Sequence, residues 1–320
     1  MNILHALAIA AVTSIAIPTV ATALDCPAGQ RAFTHGGGES CIPEAPQRIV
    51  ATRGDSLVTP LLDIGAPVIG AGFRETDGTL WIRGATDIFG SDFVDGLGMA
   101  SVGNPNNVDI ESVATLAPDL ILVRQRELDR YDQFVEIAPT VVVPENLIYL
   151  EHMRFIADAA GLADTFQTRI DAYQAAVDKA VAMVGDPASI TVSRMDVEPG
   201  GLWYYPNWGA IDQVITDMGF ARPAIQADAP DGGYNGLSPE RIMEFDGDVI
   251  ITSAAPRFGQ TIDMKMDEYA SEAPVWTNLS AVQSGDLFWY ERDILVGYTF
   301  ESLHRSIEFL TAITAGRDFD

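Results

Sequence analysis

Residues Val102 to Glu127 read VGNPNNVDIESVATLAPDLILVRQRE, and this stretch decides the fold class. Asn104, Pro105, Asn106 and Asn107 supply turn chemistry, and Asp109 suits the N-cap of a helix running from Ile110 to Leu116. Pro118 ends that helix. Leu120-Ile121-Leu122-Val123 is a continuous apolar run, the pattern of a strand covered on both faces. Arg124 and Arg126 then stand at the carboxyl end of the strand, where open α/β sheets bind their ligands. They are two residues apart, so an extended chain would turn both to one side.

Working toward the amino terminus, Pro46 to Gly72 predicts a strand at Ile49–Thr52, a helix near Leu57–Ile64 and a second strand at Val68–Ala71. A polar, glycine-rich excursion from Phe73 to Ala100 holds Arg74, Trp81 and Arg83. Beyond the opening stretch, Ile137 to Val143 supplies a further short strand. This succession is a βαβ series with a parallel sheet. From Glu151 the pattern becomes helical, and Leu162 to Val184 contains neither Pro nor Gly. A helix of that length is on the order of 30 Å, enough to connect two lobes. A second βαβ series follows: a strand at Ile190–Ser193, a loop with Trp203, Tyr204, Tyr205 and Trp208, and a helix at Ile211–Met218. Ser238 then caps a helix with Pro239 at its first position. Strands at Asp248–Thr252 and Leu287–Tyr290 and a closing helix at Phe300–Ala315 complete the chain.

Composition bounds the partners. The formal net charge of −26 argues against nucleic acid or an anionic membrane surface. All basic residues except Lys179 and Lys265 are arginines. That ratio fits either a surface bias or bidentate anion recognition, and does not decide between them. Met1 to Ala23 is apolar, free of Asp, Glu, Lys and Arg, and ends in Ala21-Thr22-Ala23, the form of a secretory leader. Leu24-Asp25 before Cys26 makes a poor lipidation signal. Cys26 and Cys41 are the only cysteines and suit one small-loop disulfide in an oxidising compartment.

The segment from Asp109 to Leu122 parallels the one from Ser238 to Ile251: a capped helix with an early glutamate runs into an Asp-led apolar strand. With PQRIV before the first strand, LLDIGAPVIG and LSPERIMEFDGDVII, the order and spacing from about Pro43 to Ala315 resemble the periplasmic substrate-binding proteins of ABC importers for ferric siderophores and vitamin B12. The resemblance implies two Rossmann-like α/β lobes with parallel sheets joined by a single long helix, the class III periplasmic binding protein fold. The expected layout is a leader at 1–23, a stapled segment at 24–46, a first lobe at 47–149, linking helices at 150–186 and a second lobe at 187–320.

By the same resemblance, Glu111 and Glu240 are lobe-tip carboxylates that dock onto an inner-membrane permease. As plain chemistry they are also acids favoured near helix N-termini. Arg124 and Arg126 match the ligand-contacting strand exit. Tyr234, Trp208 and Arg257 match ligand-facing positions on the second lobe, and Tyr298 falls near another. Arg53, Arg74, Arg83 and Arg194 follow predicted strands or lie in loops of the same rim. Each arginine is open to the alternative of a surface ion pair. A cluster of them would focus an anionic ligand, and arginines with aromatics lean toward citrate-type or catecholate siderophores over neutral hydroxamates. The implied protein is an exported monomer without catalysis or resident cofactor, its iron arriving inside the siderophore. Cobalamin or haem is an alternative cargo.

His35, His152 and His304 are spread along the chain without metal-ligand spacing, so no metal site is expected. The tetrapeptide Gly54-Asp55-Ser56-Leu57 resembles the nucleophile block of GDSL serine esterases, and His35-Gly36-Gly37-Gly38 resembles an oxyanion loop. No Asp-x-x-His block accompanies Ser56, and a serine without a positioned base is not activated.

Overall fold

The computed structural model describes residues 24–319, so the expected leader at 1–23 lies outside the described residues. Five parallel strands form the first sheet, in the spatial order Thr140–Val143, Leu120–Arg124, Ile49–Ala51, Val68–Ala71 and Ala100–Ser101. The chain enters at the central strand, builds outward in one direction, then returns to build in the other. Ile49–Ala51 and Leu120–Arg124 therefore flank the point where strand order reverses, and Arg53 and Arg124 sit at their carboxyl ends. Leu120, Ile121, Leu122 and Val123 are fully buried, as a strand covered on both faces requires.

The repeat seen in the sequence has a physical basis. Asp109 caps the Ile110–Thr115 helix, accepting from Glu111 N at 3.1 Å and Ser112 Oγ at 2.6 Å. Asp119 accepts from the backbone N–H groups of Gln47 (2.7 Å) and Arg48 (2.9 Å), tying its strand to the neighbouring one. In the second lobe Asp248 does the same, accepting from Thr191 N at 2.6 Å. There the parallel sheet has three strands, Val192–Arg194, Val249–Ala254 and Leu287–Glu291, with Val249–Ala254 buried at the centre.

Three expectations change. The aromatic-rich segment is not all loop, because Gly201–Tyr204 is the middle strand of a small antiparallel sheet with Asp196–Glu198 and Tyr234–Leu237. The element after Ser238 is a 3-10 helix, Pro239–Phe245, and the serine side chain makes no capping bond. The chain beyond Arg124 is not extended either: Gln125–Arg130 is a 3-10 helix, started by Glu127 accepting from Arg124 N at 2.7 Å.

The helix Ala163–Val184 has 22 residues, roughly 33 Å, and packs along Phe300–Thr314. One continuous buried cluster includes Ile49 and Leu122 of the first sheet, Phe166 and Tyr173 of the long helix, and Val249 and Leu310 beyond it. Tyr149 Oη, fully buried, lies 2.5 Å from Gly297 O and 2.9 Å from Thr299 N, pinning the preceding helix to the second half of the chain. Cys26 and Cys41 form a disulfide beside the hairpin Gln30–His35/Gly38–Pro43. That hairpin docks on the sheet edge through Gly36 N to Val142 O at 2.8 Å. His35 Nδ1 accepts from Gly37 N at 3.0 Å and Val142 N at 3.3 Å, which requires the neutral ring. Among the described residues no helix is long and apolar enough to cross a membrane.

Candidate ligand cleft

A cavity of about 350 Å³ opens between the lobes and brings together Arg53, Arg83, Arg124, Arg126, Trp208 and Tyr298. These came from five separate stretches of sequence, and all were expected at the ligand. Arg53 and Arg124 reach it from the switch point of the first sheet, where diverging connections leave a crevice. Arg126 also reaches it despite the 3-10 turn. Its side chain is largely exposed and 3.6 Å from Glu145, whereas Arg124 is mostly buried and pairs with Glu127 at 2.9 Å.

The arginines are not free charges. Asp55 accepts from Arg53 Nε at 2.6 Å and Nη2 at 3.0 Å, and lies 3.3 Å from Arg83 Nη1. Arg83 also donates to Asp293 at 2.9 Å. Burial pushes the Asp55 carboxyl up. The hydrogen bond from Arg53 and the charges of Arg53, Arg83 and Arg74 outweigh this and hold it below the usual carboxylate range. Burial likewise works against the Arg83 cation, and Asp293 and Asp55 restore it, raising its pKa above the ordinary value. The expectation of a strongly cationic cleft is therefore corrected: each arginine lining it has an acid beside it.

Two expected residues sit in an adjoining groove. Arg74 and Arg257 lie there with Trp81 and Phe258. Arg257 bonds Asp87 across the lobes and stacks over Trp81 with its guanidinium 5.3 Å from the ring. Arg74 has no carboxylate within ion-pair distance among the described residues. Burial and the nearby Arg53 and Arg83 cations lower its pKa.

Two other expected ligand contacts are not at the cavity surface. Arg194 is fully buried and bonds Asp212 at 2.7 Å and Tyr205 O at 2.6 Å, because its strand ends under the antiparallel sheet rather than at the rim. Its guanidinium lies 5.2 Å from the Trp208 ring, so it supports that indole from below. Trp208 N donates to the same Asp212 at 3.1 Å. The next residue, Gly209, has φ +77°, and a Cβ there would sit 2.4 Å from Val296 O. That close approach seats Trp208 against the Val296–Tyr298 wall. Tyr234 pairs with Tyr204 in the antiparallel sheet and packs near Phe245, away from both the cavity and the groove. Glu111 and Glu240 are exposed near the starts of their helices.

Sequence reading missed Asp55, His152 and Asp293 as lining residues. Asp55 had a usable signal in its spacing from Arg53, an Arg-x-Asp that closes into a bidentate pair. His152 and Asp293 had none, since only the packing of distant segments brings them in. His152 Nε2 donates to the carbonyl of Ser56 at 2.6 Å, so this imidazole serves the backbone and not the Ser56 hydroxyl. Among the described residues no group of three or more His, Cys, Asp or Glu is placed to hold a metal ion.

Two lobes of parallel sheet, one long connecting helix and a polar, aromatic-edged cleft at the sheet switch point define a binding-protein architecture. The chain belongs to the periplasmic binding protein family, whose model matches residues 86–293. It is 28% identical over 291 residues to the iron(3+)-hydroxamate-binding protein YxeB of Bacillus subtilis (strain 168), covering 88% of this chain and 84% of YxeB. It is 28% identical over 269 residues to the probable siderophore-binding lipoprotein YfiY of the same strain, covering 80% of this chain and 78% of YfiY. Among solved structures, the FhuD protein from S. pseudintermedius superposes with a TM-score of 0.71 at 22% identity, covering 90% of this chain and 99% of that one.

Proposed function

We propose that this protein is the exported, substrate-binding component of an ABC importer. It captures a ferric siderophore between its lobes and presents it to an inner-membrane permease through Glu111 and Glu240. The carrying observation is the charge-paired cleft. Arg53, Arg83, Arg124 and Arg126 are each matched by Asp55, Asp293, Glu127 or Glu145. A neutral ferric trihydroxamate meets such a surface without leaving charges unbalanced. A polyanion would have to displace those acids, at a desolvation cost. This reverses the lean toward citrate or catecholate. Paired guanidiniums still direct N–H donors at the hydroxamate oxygens, and Trp208 and Tyr298 offer flat contact faces.

The protein acts by binding alone, with the iron belonging to the cargo. His152 is committed to the Ser56 carbonyl, so the serine lacks the base that nucleophilic catalysis needs. The core that runs through the long helix supports small hinge motion, and the protein works as a monomer in the periplasm. The layout that goes with this reading is a leader at 1–23, a stapled segment at 24–46, and lobes at 47–149 and 187–320 joined by helices at 150–186.

Arg74 favours a second reading, an anionic ligand such as ferric citrate, because among the described residues its guanidinium has no acid partner. Titrating purified protein with ferric hydroxamate, citrate and catecholate complexes, followed by tryptophan quenching, separates the two. The expected result is saturable quenching by the hydroxamate. Tighter binding of citrate favours the second reading, and a response only to cobalamin or haem refutes both.

A further inference from the structure

We infer that Tyr149 is a positioning residue for ligand binding: it seats Tyr298 in the cavity wall without itself reaching the ligand. The inference rests on reading the main cavity as the place where the ferric complex binds. Tyr298 lines that cavity and is half-buried, whereas Tyr149 is 2% exposed and lies behind the lining.

The hydroxyl of Tyr149 holds the backbone on both sides of Tyr298. It accepts from Thr299 N at 2.9 Å and donates its one proton to Gly297 O at 2.5 Å, with Thr299 O also close at 3.0 Å. The Tyr149 ring lies nearly parallel to the Tyr298 ring, with 13° between the planes and 5.0 Å between the centroids. His152 closes on the same ring, 4.7 Å away and tilted by 48°. Tyr149 and His152 are three residues apart in the helix Tyr149–Ala159, so both stand on one face of it. That face is a seat of two rings for Tyr298.

The loop around Tyr298 is fixed at its other contacts too. A Cβ on Gly297 would lie 2.4 Å from Ile88 Cδ1 and 2.7 Å from Ser302 Oγ, so the backbone there is closely packed. Phe300 N donates to Asp63 Oδ2 at 2.7 Å, tying the far end of the loop to the first lobe. Tyr298 therefore belongs to the second half of the chain but is held by Asp63, Ile88, Tyr149 and His152 of the first. An aromatic face set before the ligand arrives spares the cost of ordering it on binding, and for one side chain that is worth about three- to tenfold in affinity.

A double-mutant cycle tests this. Affinities for ferrioxamine E, a neutral ferric trihydroxamate, and for ferric citrate are measured by equilibrium dialysis of labelled iron. The proteins are wild type, Tyr149→Phe, Tyr298→Ala and the double variant. Tyr149→Phe keeps the stacked ring and loses the hydroxyl, and should weaken the complex that wild type binds about three- to tenfold. On the Tyr298→Ala background the same substitution should change affinity by less than about twofold. A loss of equal size on both backgrounds makes Tyr149 purely structural and overturns the inference. Unchanged affinity in Tyr149→Phe or in Tyr298→Ala overturns it as well. His152→Leu opens the other side of the seat and should show the same dependence on Tyr298, which carries the test if Tyr149→Phe fails to fold. Which complex wild type binds decides the cargo separately, and binding of neither removes the cleft reading together with this inference.

Discussion

Arg83 Nε donates to Asp293 Oδ1 at 2.9 Å, joining residues 210 positions apart across the cleft. The same guanidinium reaches Asp55 in its own lobe, so one side chain links the first lobe's acid to the second's. The bridge sits inside the ligand cavity and helps to set how far the lobes can separate. Arg83→Met leaves Asp293, with its side chain 8% exposed, facing the cavity without its cation. The variant should lose about 2 kcal/mol in urea unfolding. An unchanged midpoint would show that the pair contributes nothing.

Arg194 gives a contrasting case. Its side chain is 0% exposed and holds Asp212 and Asp196 in place beneath Trp208. Arg194→Met takes the nearest cation from buried Asp196 and one of two from Asp212, which keeps Arg222 at 2.6 Å, so the expected cost is about 3 kcal/mol. Thermal denaturation measures this directly. A variant that keeps its stability but loses ligand affinity would restore Arg194 as a direct contact.

Acid should weaken the fold through two histidines. Burial lowers the pKa of His35 and of His152 from the ordinary value of 6.5, so both favour the neutral ring when folded. The unfolded chain then takes up protons first as pH falls through about 6.5, and stability drops from there down to the folded values. His35 also accepts two backbone N–H bonds that protonation would break. Unfolding midpoints measured from pH 8 to pH 5 should decline less steeply in His35→Gln than in wild type. Parallel curves would mean that carboxylates alone govern the acid response.

The disulfide closes a loop with a sequence separation of 15. Replacing Cys26 and Cys41 together by alanine should cost about 3 kcal/mol if loop closure entropy dominates. The hairpin retains its bonds to Val142, so circular dichroism should still report a folded chain at room temperature. Loss of the whole fold would make the stapled segment a required part of the first lobe.

Docking and capture should separate genetically. Glu111→Ala with Glu240→Ala is expected to abolish siderophore-dependent growth while the purified protein binds its ligand with unchanged affinity. Loss of binding in the double variant would move these glutamates from the lobe tips to the ligand.

The parallel strands and the long helix were legible because each is specified locally. Leu120 to Val123 is apolar enough to need cover on both faces, and Ala163 to Val184 has no breaker. The paired Asp119 and Asp248 were visible as a repeat, and the structure gives them one task, holding the start of a neighbouring strand. The antiparallel sheet through Trp203 and Tyr234 was less legible, since its strands are short and their pairing depends on a bulge between Leu202 and Trp203.

The sequence by itself determined the two-lobed α/β architecture and the residue types at the cleft, because hydrophobic period and strand-exit position are local properties. Tertiary structure alone decided the charge state of that cleft. Asp55 and Asp293 neutralise Arg53 and Arg83 at the cavity itself, and Arg194 is turned from a rim contact into a buried prop. Coulomb pairing and burial depend on which distant segments share a few ångströms, and hydrophobic periodicity carries no record of that.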